Sequence, residues 1–232
     1  MTAARPPPAD DFVRIDESAD REFYDQPRFV QHIDDAAIAG VTAVIRRHVA
    51  PGADLLDLMS SWVSHLPPAT ELPLGRVAGL GMNAKELAAN PRLTEWLVHD
   101  LNRGERLPFG DAAFAAVLIT VSIQYLTRPV ETLCEVARVL RPGGVVLVSF
   151  SDRMFPTKAV RVWQETPAEL RPRLVACYLE LAGGFGEIDT EGPRRQRGLF
   201  GGPDPLWVVI GRRAEADPDP DPDPDSGLVP TR

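Results

Sequence analysis

The apolar positions of this chain change period several times along its length. Phe29, Val30, Ile33, Ala36, Ala37, Val41, Val44, Ile45 and Val49 recur at helical spacing and stop before Pro51-Gly52, which predicts a helix over 29–49. Short apolar runs at 55–58, 76–80 and 96–98 predict strands, with a short helix over 83–89 between the last two. The run Ala115-Ala116-Val117-Leu118-Ile119-Thr120-Val121 is continuous, as in a central strand covered on both faces. Val130, Leu133, Cys134, Val136, Ala137 and Leu140 then form the stripe of a helix over 129–140, and Arg141-Pro142-Gly143-Gly144 turns it into a strand at 145–150.

Thr166-Pro167-Ala168-Glu169 has the form of a capping box and predicts a helix running to about residue 181, with strands near 187–190 and 206–210. Strands alternating with helices and closed by a final strand pair predict an α/β fold. It is a doubly wound, mostly parallel seven-stranded sheet whose last pair is antiparallel. Such sheets bind ligands beyond the carboxyl ends of their strands. The loops after Leu58, Leu80, Val98, Val121 and Phe150 are therefore the places to look.

Composition narrows the possibilities. With 232 residues, 44% hydrophobic and 25% charged, one domain with tails is expected: residues 1–20 disordered, a domain over 21–213, and a disordered tail over 214–232. The tail alternates Asp and Pro from Asp217 to Asp225 and so loses every second amide hydrogen, which forbids helix and sheet. Residues 215–232 carry −5 of the net charge of −8, and the nearly balanced remainder argues against a nucleic-acid partner. No apolar run approaches the roughly 18 residues of a membrane span, and no signal-peptide pattern opens the chain; no membrane partner is expected and the expected setting is cytoplasmic. Cys134 and Cys177 show no metal-type spacing and read as buried free thiols, and no metal site is expected.

Two segments carry a resemblance. Leu107-Pro-Phe-Gly-Asp-Ala-Ala-Phe-Ala-Ala-Val117 and Glu135-Val-Ala-Arg-Val-Leu-Arg-Pro-Gly-Gly144 resemble the flanks of the fourth strand and fourth helix of class I S-adenosylmethionine-dependent methyltransferases, especially their small-molecule branch. The resemblance spans residues 23–212. It implies a Rossmann-like methyltransferase fold, S-adenosylmethionine as cofactor, and transfer of a methyl group to a small-molecule acceptor. A nicotinamide dehydrogenase on the same sheet type is a weak third reading, because G-x-G-x-x-G after the first strand is absent.

Against that family, the cofactor loop departs. Where the family has three glycines, this chain reads Leu56-Asp57-Leu58-Met59-Ser60-Ser61-Trp62-Val63, and Met59, Ser61 and Val63 stand at the glycine positions. Glycines there permit positive φ angles and close approach of the main chain to a ligand, which a β-branched Val63 resists. Gly81 takes the place of the acid that normally holds the ribose hydroxyls, with Asn83 as a substitute donor or acceptor.

The resemblance thus implies cofactor contacts from Asp57, Met59, Ser60, Ser61, Gly81, Met82, Asn83, Asp100, Leu101 and Ser122. If a helix begins after the first strand, Ser60 and Ser61 would face an anion at its start. Substrate contacts fall to Tyr24, Arg28 and His32 on an N-terminal lid, to Gln124, and to Arg153 with Lys158 at the pocket mouth. His65 and Tyr125 are the catalytic candidates, His65 because imidazole accepts protons near neutral pH. The opposing expectation is a methyltransferase-like domain without catalysis that serves as a binding or scaffold partner, which the missing glycines favour.

Overall fold

The computed structural model describes residues 8–104, 106–193 and 202–215. The seven strands are β1 (Leu55–Leu58), β2 (Val77–Gly81), β3 (Glu95–Val98), β4 (Phe114–Thr120), β5 (Leu140–Phe150), β6 (Phe185–Glu191) and β7 (Trp207–Arg213). They form one sheet in the order β3-β2-β1-β4-β5-β7-β6. All adjacent pairs are parallel except that β7 runs antiparallel to both β5 and β6. The order reverses at β1, where β2 lies on one side and β4 on the other. In sheets of this kind, the crevice for a ligand opens there.

Strand alternation splits the core into two layers. Leu56, Leu58, Leu80, Val117 and Ile119 face one side, covered by α4 (Pro129–Val139) and α6 (Arg171–Ala182) through Leu133, Val136, Val175 and Leu179. Leu55, Val77, Leu118 and Leu147 face the other, covered by α2 (Asp35–His48) through Ala37, Val41, Val44 and Ile45. Phe29 and Val30, expected within that helix, are exposed and precede it; Asp34 starts the helix by accepting the Ala37 amide. β3 is a solvent-exposed edge, and α3 (Ala84–Ala89) joins it to β2.

No helix connects β1 to β2: residues 59–76 form a loop. Pro67, Pro68 and Pro73 deny this segment the amide hydrogens of a helix. Leu66 and Leu72 instead plug the α2-side core directly. The helix whose start would have presented Ser60 and Ser61 to an anion is therefore absent. Downstream, the capping box at Thr166 does not form either. A short helix α5 (Arg161–Glu165) ends there, the Thr166 hydroxyl donating back to the Val162 carbonyl, and α6 starts at Arg171 with Pro172 in its first turn. Cys134 is exposed and Cys177 half-buried, so neither is the buried thiol expected. Both are free.

Over residues 8–20 the expectation of disorder is overturned. Phe12 packs against the core, and the Arg161 and Asp16 amides donate to the Val13 and Thr157 carbonyls at 2.8 Å each. Two acids of this segment, Asp16 and Asp20, neutralise a fully buried Lys158. Its Nζ donates to the Ser18 carbonyl at 2.7 Å and lies 3.3 Å from the carboxylates of Asp16 and Asp20. Arg14 completes the cluster on Asp20 at 2.6 Å. The short helix α1 (Asp20–Phe23) follows and brings the strap toward the sheet's carboxyl edge. Lys158 is thus an anchor for this strap rather than a group at the pocket mouth. Residues 1–7 and 216–232, including most of the Asp-Pro tail, lie outside the described residues. No described helix is long and apolar enough to cross a membrane.

Removing one partner of a buried ionic cluster leaves the others desolvated and unpaired. Lys158→Met should lower the unfolding free energy by about 3 kcal/mol and expose residues 8–24 to protease, as read by urea denaturation and timed proteolysis. A variant of wild-type stability with an intact strap would contradict this account of the N-terminal segment.

Candidate active site

A cavity of about 560 Å³ opens past the carboxyl ends of β1, β2 and β4, roofed by the N-terminal strap and the segment after β5. This is the size of a small-molecule or cofactor site. Of the residues expected at the site, Tyr24, Arg28, His32, Asp57, Met59, Ser60, Ser61, His65, Gly81, Met82, Asn83, Asp100, Leu101, Ser122, Tyr125 and Arg153 all line it. Gln124 does not. Its side chain turns inward, buried, with Nε2 donating to the Val121 carbonyl, so it is removed from the substrate contacts.

Asp57 organises the loop after β1. Its Oδ2 accepts hydrogen bonds from the Ser60 and Ser64 hydroxyls, both at 2.6 Å. Burial raises its carboxyl to about 6 even though both hydrogen bonds act to lower it. The loop then crosses β2: the Ser60 amide donates to the Leu80 carbonyl, and the Ser60 carbonyl stands where a β-carbon on residue 81 would be. Only glycine fits at 81, so no acidic side chain can stand there. Asn83 does not replace it. Its Oδ1 accepts the Lys85 and Glu86 amides and its Nδ2 donates to the Tyr24 and Asp25 carbonyls, which uses the whole amide inside the protein.

Of Met59, Ser61 and Val63, only Met59 adopts a positive φ, at 60°. His65 and Val121 also take left-handed backbone, at 51° and 52°, and all three border the cavity. Such conformations cost about 1–3 kcal/mol each and gather where the surrounding structure fixes a functional geometry. Val121 hands the chain to Ser122, whose hydroxyl is buried without a partner.

Charge in the cavity is distributed unevenly. Arg153 is paired with Asp204 at 2.6 Å. Arg28 is held differently: one guanidinium nitrogen donates to the Phe23 carbonyl, the group lies 4.5 Å from the Phe23 ring centroid and 5.5 Å from that of Phe155, and Nη1 is buried without a partner. His32 and His65 are both held below the ordinary imidazole range, chiefly by burial. Tyr125 is buried, accepts the Phe155 amide at its hydroxyl and stacks on that ring at 5.8 Å; burial raises its phenol, which excludes it as a base at neutral pH. Asp100 caps the turn that follows by accepting the Asn102 amide.

The structure adds Glu86 and Phe155, which sequence reasoning missed. Glu86 is buried and bonded to both the strap and the loop. The spacing of Asn83, Glu86 and Asn90 puts three polar side chains on one face of α3, and that face points to the cavity wall rather than to water.

Because Asp57 gains its proton more readily in the folded than in the unfolded chain, ionising it opposes folding. Between pH about 4 and 6, wild-type stability should fall relative to Asp57→Asn by about 3 kcal/mol, with no further divergence above that window. Urea denaturation of both proteins across pH 3–8 checks this; a pH-independent difference would show that the carboxyl is not desolvated in the folded chain.

Residues 66–148 match the family model described as a methyltransferase domain. The matched range begins within the loop between β1 and β2. Over 68 residues the chain is 40% identical to a ubiquinone/menaquinone biosynthesis C-methyltransferase of Roseobacter denitrificans, covering 29% of this chain and 26% of that one. It is 32% identical over 126 residues to the demethylmenaquinone methyltransferase of Lactiplantibacillus plantarum, covering 50% and 53%. The chain thus spans about half or less of the length of the curated relatives it matches. Among solved structures, the [4+2]-cyclase SpnF shares the fold, with a TM-score of 0.59 and 17% identity over 84% of this chain and 92% of that one. Strand order, the family match over residues 66–148 and these relatives make the chain similar to the class I S-adenosylmethionine-dependent methyltransferases.

Proposed function

We propose that the chain binds S-adenosylmethionine in this cavity and transfers its methyl group to a small aromatic acceptor. The observation that carries the reading is the unpartnered, buried Nη1 of Arg28 and hydroxyl of Ser122 in a cavity at the point where strand order reverses. A guanidinium and a hydroxyl suit the carboxylate end of an amino-acid-bearing nucleoside. Asp100 and Leu101 stand where the resemblance puts the adenine, and the loop from Met59 to Ser61 would hold the sulfur end.

When bound, this cofactor supplies a methyl group already activated on a sulfonium. The chain's own work is then alignment and exclusion of water, and orientation of reactants can contribute about 7–11 kcal/mol. Tyr125 and Phe155 stack into a rigid aromatic wall. His65 and His32, kept neutral by burial, can take the proton that an acceptor hydroxyl or acidic carbon gives up. The aromatic lining and these bases support an acceptor of the kind the relatives' names suggest, an aromatic ring bearing ionisable groups.

A second reading, ligand binding without transfer, is favoured by one observation. With the Ser60 carbonyl over Gly81 and Asn83 fully engaged, neither residue offers a free side-chain group to ribose hydroxyls. Calorimetric titration separates the readings, with NADH and ATP as controls. S-adenosylmethionine and S-adenosylhomocysteine should bind with micromolar Kd and the controls should not. Arg28→Ala should weaken both about tenfold or more, the value of one hydrogen bond to a charged group. No binding by folded, nucleoside-free protein would overturn the methyltransferase reading.

A further inference from the structure

Taking the cavity as a cofactor site, we propose that Glu86 is its positioning residue: one carboxylate fixes the strap that carries Arg28 to the loop that carries Ser61. The loop is held from below by Asp57, and the Trp62 indole donates to the Val30 carbonyl of the strap at 3.1 Å. α3 adds a further support from outside.

Three polar side chains of α3 or its caps do this, and their tasks differ. Asn83 holds only the strap, through the Tyr24 and Asp25 carbonyls. Asn90 holds only the loop, donating to the Ser61 carbonyl at 2.9 Å and the Ser64 hydroxyl at 2.8 Å. Glu86 holds both: Oε1 accepts the Arg28 amide at 2.6 Å and Oε2 accepts the Ser61 hydroxyl at 2.6 Å. It is 8% exposed, so water competes little for either bond. Through Glu86 the backbone of Arg28 and the former glycine loop are set at a fixed separation across the cavity. Glu86 itself need not touch a ligand to do so.

The test compares Glu86→Ala, Glu86→Gln and Ser61→Ala in the full chain. Three readouts are used: S-adenosylhomocysteine Kd, thermal midpoint, and hydrogen exchange at the Arg28 amide. Glu86→Ala should weaken binding about tenfold or more and speed Arg28 exchange comparably, well below its melting temperature. Glu86→Gln should restore both to within about threefold, since its carbonyl still accepts the Arg28 amide and the Ser61 hydroxyl can turn to accept from its NH₂. Ser61→Ala should weaken binding several-fold alone and add nothing in the Glu86→Ala background, because the two act through one bond.

Glu86→Ala with unchanged Kd and unchanged Arg28 exchange overturns the proposal, as does a Gln variant no better than Ala. Should Glu86→Ala not fold, Ser61→Ala decides: lost affinity at an unchanged midpoint supports the role, and unchanged affinity overturns it. If wild-type protein binds no S-adenosylhomocysteine, the cofactor reading fails. The exchange arm still supports or overturns the Glu86 link independently.

Discussion

The Ser60 carbonyl rests against the α-carbon of Gly81, and the layout of the cavity follows from that approach. With the loop pressed onto the end of β2, no side chain is possible at position 81, and the carboxylate that the family places there has no room. The same contact brings Ser60 and Ser64 within reach of Asp57, whose buried carboxyl then gathers the loop from below. Asn83, freed from any ribose, becomes the cap of α3 and the tether of the strap. The glycine that the close approach requires lies on the strand that the loop crosses, and a set of side-chain hydrogen bonds holds the loop.

That exchange has an energetic consequence. Glycine-rich loops hold their shape without strain, whereas here Met59, His65 and Val121 stay in left-handed backbone around the cavity. The opposing contributions come from buried polar groups that are mutually satisfied: Asp57 with two serines, Glu86 with Arg28 and Ser61, Lys158 with the acids of the strap. Among the buried polar atoms left without a partner, Arg28 Nη1 and Ser122 Oγ belong to residues that line the cavity. A site whose walls are satisfied and whose lining is not is prepared for a polar ligand.

The sheet was legible from sequence because its signal is local. Continuous apolar runs such as 115–121 and the turn at Arg141-Pro142-Gly143-Gly144 depend on neighbours within a few residues. The strap was not legible, since Asp16 and Asp20 meet their partner only in Lys158, more than a hundred residues away. Residues expected at the cavity were reached mostly through the family resemblance, which fixes strand ends. It gives no side-chain direction, so Gln124 was expected in the cavity and instead faces the interior. Glu86 was missed because a glutamate in a short helix ordinarily faces water, and only the folded loop shows what it holds.

The fold alone does not settle the chemistry, as its sharing with a cyclase illustrates. What distinguishes this chain is the loop that lies on Gly81, so the direct measurement is the effect of Gly81→Asp on S-adenosylhomocysteine affinity and melting temperature. On this account the variant, although it supplies the acid that the resemblance implies, displaces Ser60, loses affinity and melts earlier. Tighter binding at an unchanged midpoint would contradict the account, because it would mean that the space at the end of β2 is open and that the loop does not rest there.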